Sequence, residues 1–184
     1  MIDPVAGPFL FDTSADSYLG KRARQEEREW LNRYLALFPA RVSVLTVVER
    51  IRGYAVLLER LELPHRVRIE AARHEYRQGL ESGVTQVLPL TTPAALLGAE
   101  LLAVCPSPAS PRRQSHRLVE SRQGRVARWR FDILIAATAL AADLPLVHNN
   151  PEDFEAMRAV IERFPERFPG AGPLNLISVR RLTE

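Results

Sequence analysis

The sequence predicts a single α/β domain, a three-layer arrangement in which helices flank a mainly parallel sheet. Its 184 residues suffice for one domain and fall short of a comfortable two. Short apolar runs alternate with longer segments of helical periodicity along the whole chain, and no internal repeat is visible. Such an alternation is typical of a parallel sheet covered by helices on both faces.

The first half of the chain contains three predicted strands. The apolar run 8–12 predicts the first strand, and Thr13 and Ser14 behind it are residue types that cap helices. The run 41–46 predicts the second strand, and Glu49 falls in the first turn of the helix that follows it. The other elements predicted in this half are helices at about 24–38, 47–63, 66–81 and 93–104 and a third strand at 84–90.

The second half begins with the low-complexity run CPSPASP (105–111), which predicts a loop. A basic helix is predicted at about 112–123. The small-residue segment FDILIAATALAAD predicts a closely packed helix with Asp132 at or near its beginning. The last predicted elements are a strand at 144–148, a helix at 151–164 and a strand at 174–179.

The composition excludes several classes of protein. With 46% hydrophobic and 26% charged residues, the chain is neither disordered nor fibrous. The single cysteine, Cys105, excludes an intramolecular disulfide framework and a Cys-rich zinc site. No apolar run approaches the roughly 20 residues of a membrane span, and the opening MIDPVAGPFLFD has no signal-peptide pattern. We therefore expect a cytoplasmic protein with no membrane partner.

Polar side chains follow several of the predicted strands. In an open parallel sheet, ligands bind beyond the carboxyl ends of the strands. The residues expected at this edge are Asp12, Glu49, Asp132, Asn150 and Asp153. Clustered carboxylates repel one another and are costly to desolvate unless a cation neutralises them. Since Mg²⁺ and Mn²⁺ prefer carboxylate, amide and water oxygens, this edge is a candidate metal site. Each residue taken alone is also compatible with an ordinary helix cap or first-turn acid.

Three segments resemble the PIN-domain ribonucleases. FLFDTSADSYL is similar to the opening strand and Asp-Thr-Ser of that family, and SVLTVVERIRG to its second strand and glutamate-bearing helix. FDILIAATALAADLPLVHNNPEDFEAM is the most specific match. The order and spacing of the segments agree over essentially the whole chain. The subgroup that the sequence resembles best is the VapC-like toxins of bacterial and archaeal toxin–antitoxin pairs.

This resemblance implies a metal-dependent endoribonuclease. Carried over by position, the catalytic and metal-binding acids are Asp12, Glu49 and Asp132, and Ser14 supports them by hydrogen bonding. Asn150 stands at the fourth metal position, where some members have Asp, and Asp153 is a substitute donor. The resemblance also implies Mg²⁺ or Mn²⁺, products with a 5′-phosphate and a 3′-hydroxyl, a homodimer, and a cognate antitoxin that inserts a segment, often with an arginine, into the acidic site.

The chain is longer than most of these toxins, and part of the excess lies in residues 105–125, predicted to be a loop and basic helix inserted into a single domain spanning 1–184. Arginines in and after this insertion are candidates for binding RNA phosphates, since neutralising phosphates releases counterions and so favours binding. They are Arg112, Arg113, Arg117, Arg125, Arg128 and Arg130. A solvated helix face is the alternative interpretation.

Two other functions are compatible with parts of the pattern. A PIN-like scaffold with an incomplete set of acids could bind RNA or a protein without cutting, and Asn150 keeps this alternative open. A phosphoryl-transfer enzyme with Asp12 as its nucleophile would need a second acid two residues later or a well-placed lysine. Ser14 occupies that position and Lys21, the sole lysine, lies in a charged run, so the sequence disfavours the second alternative.

Overall fold

The structure, a computed structural model, describes residues 2–21, 23–60, 62–111, 114–115 and 118–183. Strands and helices alternate through most of this part of the chain. The strands are β1 Leu10–Phe11, β2 Ala40–Ser43, β3 Thr85–Leu88, β4 Gln114–Ser115, β5 Leu118–Val119, β6 Leu146–His148 and β7 Leu176–Ser178. The α-helices are α1 Thr13–Lys21, α2 Gln25–Leu35, α3 Val44–Arg60, α4 His65–Glu81, α5 Thr92–Val104, α6 Arg122–Ala141 and α7 Pro151–Arg163.

Five of the strands form one sheet in the order β3-β2-β1-β6-β7. Every neighbouring pair in this sheet is parallel. Strand β1 lies at the centre, where Leu10 aligns with Arg41 of β2 on one side and with Leu146 of β6 on the other. The predicted α/β class is therefore confirmed, with a sheet that is wholly parallel.

The central strand divides the hydrophobic core into two layers. Successive side chains of a strand point to opposite faces. Leu10 accordingly packs with residues of α5, α6 and α7, among them Leu101, Ile133 and Phe154. Phe9 and Phe11 pack on the other face with residues of α1 and α2, including Trp30 and Tyr34. The two-residue strand β1 thus fixes which helices cover each face, and Asp12 follows it directly.

The predicted basic helix at 112–123 is wrong. Strands β4 and β5 form an antiparallel pair in this region. The next helix, α6, begins at Arg122, where the hydroxyl of Ser121 accepts a hydrogen bond from the backbone N–H of Gly124. This N-cap starts the helix well before the small-residue segment. As a consequence Asp132 lies in the middle of α6 and not near its beginning.

The position of Glu49 in its helix also differs from the prediction. Strand β2 ends at Ser43 and α3 begins at Val44, so Glu49 lies in the second turn and not in the first. The hydroxyl of Ser43 accepts a hydrogen bond from the backbone N–H of Leu45. This local bond competes with continuation of the strand.

Close packing of α5 on α6 explains the small-residue composition of α6. A Cβ placed on Gly98 of α5 would lie 2.7 Å from Cδ2 of Leu134 and 3.6 Å from Cβ of Ala137. The two helices therefore approach closely at Gly98. Within the described residues, no helix is long and apolar enough to cross a membrane.

Candidate metal centre

Asp12 is a buried carboxyl group at the carboxyl end of β1. Its side chain is 1% exposed, and Oδ1 accepts a hydrogen bond from the backbone N–H of Ala15 at 2.6 Å. The hydroxyl of Ser14 donates to Oδ2 of Asp12 at 2.7 Å and accepts from the backbone N–H of Asn149 at 3.1 Å. Ser14 therefore ties β1 to the loop after β6, at the place where the sequence predicts a supporting residue.

Burial changes the chemistry of Asp12. It raises the pKa of this carboxyl from 3.8 to about 7, although the hydrogen bonds from Ala15 and Ser14 act in the opposite direction. The negative charge of Glu49 raises the pKa further. Around neutral pH, the carboxyl group is therefore poised between its two protonation states.

Asp132 enters the same site from the middle of α6. Burial raises its pKa well above the usual range, and the charges of Asp12, Glu49 and Asp153 raise it further. The guanidinium of Arg128 opposes this shift. Since a nearby opposite charge favours an ionised carboxylate and a like charge disfavours it, these four acids are electrostatically coupled.

A cavity of about 180 Å³ gathers most of the predicted donors. Four of its lining residues are predicted donors, namely Asp12, Glu49, Asp132 and Asn150, and Ser14 lies beside them. They come from β1, α3, α6 and the loop after β6. The hydroxyl of Thr13 donates to Oε2 of Glu49 at 2.5 Å. The structure therefore brings together four side chains that are far apart in the sequence.

Asp153, the fifth predicted donor, lies behind this cavity. It is completely buried and is not among the residues that line the cavity. Its carboxylate accepts from the backbone N–H of Ser110 at 2.7 Å and from the Ser110 hydroxyl at 2.6 Å. The side-chain amide of Asn150 donates to Asp153 at 2.9 Å and to Asp132 at 3.2 Å.

The surroundings of Asp153 keep it ionised. Burial by itself would raise its pKa, but the hydrogen bonds from Ser110 and Asn150 and the charge of Arg128 outweigh burial, so that the pKa is lowered. Nη1 of the Arg128 guanidinium lies 3.6 Å from Oδ2 of Asp153. This ionised carboxylate holds Asn150 against Asp132.

Ser110 and Arg128 have structural roles that the sequence does not reveal. Ser110 belongs to the CPSPASP loop and is separated from Asp153 by 43 positions. Arg128, predicted to contact RNA, lines the cavity and donates to both carboxylate oxygens of Glu120, at 3.2 and 3.0 Å. A low-complexity loop gives no signal for such a partner, because the contact depends on how α6 and α7 pack.

The other arginines predicted to contact RNA occupy different environments. Arg125 donates to the backbone carbonyl of Pro108 at 2.8 Å, and so braces the loop. Arg130 is exposed. Three further candidates, Arg112, Arg113 and Arg117, lie outside the described residues. Trp129 is buried in the core and donates to the carbonyl of Cys105 at 2.9 Å.

The donor set of the cavity fits a hard divalent cation. Its donors are carboxylate and amide oxygens, which Mg²⁺ and Mn²⁺ prefer, and Asp12 and Asp132 are buried carboxyls whose pKa values are raised by burial and by neighbouring charge. A cation would relieve both effects. Among the described residues, no three His, Cys, Asp or Glu side chains form a ready-made metal cluster. The cavity therefore supplies the chemistry of a metal site without a preformed cage of three acids.

Comparisons with known proteins establish the fold of the chain. No protein-family model and no curated protein matches the sequence. Among solved structures, a chain of the DNA-bound VapBC of Salmonella typhimurium is similar at 21% identity and a TM-score of 0.56, over 93% of this chain and 97% of that chain. A chain of the VapBC2 of Rickettsia felis, bound to a promoter DNA fragment, is 13% identical with a TM-score of 0.57, over 92% and 97%.

A third similar structure is the VapBC-1 of nontypeable Haemophilus influenzae, with 16% identity and a TM-score of 0.54, over 94% of this chain and 98% of the other. In all three cases nearly the whole of both chains is aligned. The chain thus has the α/β fold of these proteins, a PIN-like fold as its resemblance to that family predicts.

Proposed function

We propose that the protein is a metal-dependent endoribonuclease that hydrolyses RNA phosphodiester bonds. The observation that carries this proposal is the cavity of about 180 Å³ in which Asp12, Glu49, Asp132 and Asn150 meet. Buried acids of this kind destabilise the folded protein unless a cation compensates them. A site that is costly for folding and lies beyond the ends of parallel strands is well explained by catalysis.

In the proposed chemistry, one set of residues would bind the metal ion and Ser14 would position one of them. A bound Mg²⁺ or Mn²⁺ would polarise a phosphoryl oxygen and lower the pKa of a water molecule. Asp12, Glu49 and Asp132 would hold the ion, and the amide oxygen of Asn150 would add an uncharged donor. Ser14 keeps the Asp12 carboxylate in one orientation through its hydrogen bond. The family resemblance adds products with a 5′-phosphate and a 3′-hydroxyl.

We further propose that the protein acts as the toxin of a toxin–antitoxin pair. The similar chains belong to VapBC assemblies, which supports a cognate antitoxin as the partner of this chain. The family resemblance adds a homodimer as its assembly. The acidic cavity would accept a basic side chain of the antitoxin, because an arginine there neutralises the same carboxylates as a metal ion. Binding of the antitoxin would then compete with catalysis.

A binding module without nuclease activity is the second candidate. Asn150 replaces a possible fourth acid, and the described residues contain no ready-made cluster of three metal-binding acids. Such a module would have the same fold and the same charge distribution as described above. It would bind RNA or a protein without cutting. Only an activity measurement separates the two candidates.

The decisive experiment is cleavage of a mixed pool of structured RNAs with Mg²⁺, with Mn²⁺ and with EDTA. We expect defined fragments only with a metal ion, and none with Asp12→Asn or Asp132→Asn. Asp143→Asn is the matched control, because Asp143 is exposed and has φ of 50°, a backbone conformation that Asn tolerates. If the wild type leaves the RNA intact under all conditions, the nuclease proposal is wrong; equal cleavage by all four proteins would trace the activity to a contaminant.

A further inference from the structure

A second, larger cavity adjoins the candidate metal centre. Its volume is about 430 Å³. Thr13, Ser14, Ser17 and Glu49 line both cavities, so the two spaces share a wall. The residues that line only the larger one are Tyr18, Arg50, Gly53, Tyr54, Leu57 and Asn149. Any ligand in this space would lie directly beside the carboxylates.

Gly53 keeps this cavity open. It lies inside α3, where glycine is less favourable than alanine. A Cβ built on Gly53 would meet nothing within 4 Å, and its φ lies outside the left-handed region. Neither packing nor backbone conformation therefore requires glycine here. Glycine allows a backbone to approach a ligand closely, so a ligand in the cavity would account for the missing side chain.

Arg50 forms a fixed, positively charged part of the wall. Its Nη1 donates to Ser17 at 2.6 Å and pairs with Asp16 at 3.2 Å, and its Nη2 donates to Tyr54 at 3.0 Å. The guanidinium carbon lies 4.7 Å from the ring centroid of Tyr76. The Arg50 side chain is only 11% exposed, and its Nε is buried without a hydrogen-bond partner. This arrangement places a rigid cation beside the acidic centre.

We propose that the larger cavity holds one nucleoside of the RNA substrate, next to the phosphodiester bond at the metal centre. The inference rests on the proposed nuclease function and specifies its substrate site. A volume of about 430 Å³ lies within the range of small-molecule sites. Tyr18 and Tyr54 supply aromatic rings, a common means of holding unpaired bases, and Ser17 and Asn149 supply hydrogen-bonding groups.

A nucleotide suits this cavity better than a segment of a partner protein. Glu49 and Thr13 line both this cavity and the acidic centre, so a ligand filling the cavity lies next to the proposed site of chemistry. The guanidinium of Arg50, although paired with Asp16, is a cationic group in the wall that a polyanion would approach. A sugar and a base would occupy the apolar part of the cavity near Leu57 while the attached phosphate reaches the carboxylates.

The test fills the cavity with a phenylalanine side chain in the variant Gly53→Phe, a substitution that we call a plug. Gly79→Phe is the matched control, because Gly79 also lies in a helix, and a Cβ there meets only Oγ1 of Thr85 at an ordinary 3.8 Å. The substrate is an oligoribonucleotide that the wild type cleaves, made also with an abasic residue on either side of the scissile bond. Leu57→Trp, at a 42% exposed position of the same cavity, provides a second plug that does not alter a glycine.

We expect both plugs to raise KM about tenfold while the control does not, because they displace a base from the aromatic rings on which it would stack. The thermal shift produced by Mn²⁺ alone should be retained by both plugs. An abasic residue on one side of the scissile bond should raise the KM of the wild type similarly. It should have little further effect on the KM of Gly53→Phe, because both changes remove the same contact.

Wild-type KM values in both plugged proteins, or independent effects of the plug and the abasic residue, would overturn the assignment while leaving the nuclease intact. A peptide occupant would produce the first of these results. No cleavage by the wild type would reject the proposed function itself, and the nucleoside site with it. Loss of the Mn²⁺ shift in Gly53→Phe and Leu57→Trp would mean that the plugs damage the metal centre, and would overturn the assignment to a separate nucleoside site.

Discussion

The side-chain amide of Asn150 donates a hydrogen bond to Oδ2 of Asp153 at 2.9 Å. The same nitrogen lies 3.2 Å from Oδ2 of Asp132. Asp153 thus fixes the orientation of Asn150, which lines the candidate metal centre, although the carboxylate of Asp153 lies behind that cavity. Fixed second-layer partners of this kind orient metal ligands in many sites. The sequence predicts Asp153 as a substitute metal donor. Its surroundings in the structure are those of a residue that positions Asn150.

Asp153→Ala should destabilise the protein by about 3 kcal/mol, because it removes the buried partner of Arg128 and leaves Ser110 without its acceptor. Urea unfolding measures this loss. Ser110→Ala is the smaller companion change, with an expected loss of about 1 kcal/mol.

The same variant distinguishes the two roles of Asp153. A positioning role predicts that Asp153→Ala still gains thermal stability from Mn²⁺, although less than the wild type. Complete loss of this gain, with the folded structure retained by circular dichroism, would support the predicted role of Asp153 as a metal ligand.

Asp12→Asn and Asp132→Asn should each stabilise the metal-free protein at neutral pH. Both carboxyls are buried, and burial and neighbouring charges raise their pKa values, whereas a neutral amide keeps a similar shape without the repulsion. We expect gains of about 1–3 kcal/mol in EDTA, measured by urea unfolding. Asp143→Asn, outside the cavity, should change little; a loss of stability in both site variants would contradict the electrostatic account.

The stability of the metal-free protein should depend on Asp12 between pH 3.8 and about 7, its unfolded and folded pKa values. The folded state binds this proton more tightly than the unfolded chain. The resulting stabilisation is therefore present in full below pH 3.8 and lost as the pH rises through about 7. Melting curves in EDTA should show this component in the wild type and not in Asp12→Asn.

Binding of Mn²⁺ should strengthen over the same pH interval, because a carboxylate must lose its proton to bind a metal ion. The increase in melting temperature caused by Mn²⁺ should thus be larger at about pH 8 than at about pH 5. An equal increase at both pH values would exclude Asp12 as a titrating ligand.

Arg130 and Arg128 should respond differently to truncation. Arg130→Ala removes an exposed charge and should lower the slope of log affinity for RNA against log salt by about 1, with little change in stability. Arg128→Ala breaks the contacts with Glu120 and Asp153 and should cost about 2–3 kcal/mol. Fluorescence anisotropy at several salt concentrations and urea unfolding measure these effects. If Arg128→Ala lowers the salt slope and Arg130→Ala lowers the stability, Arg128 is the residue that contacts RNA.

The sequence predicts the sheet strands well because their signals are local. Short apolar runs that follow a proline precede Asp12 and Asn149, and the structure has β1 and β6 at these places. The region before Asp132 is predicted poorly. A basic segment fits a helix or a solvent-exposed hairpin, and only the cap at Ser121 decides where α6 begins.

The sequence by itself determines the alternation of strands and helices, the polar residues that end them, and the absence of a disulfide framework. These properties depend on neighbouring residues, whose periodicity and turn chemistry are readable along the chain. Tertiary structure alone decides that Ser110 holds Asp153, that Arg128 is braced internally, and that the space over Gly53 opens beside Glu49. Those contacts join residues far apart in the sequence, and they exist only after the helices have packed on the two faces of the sheet.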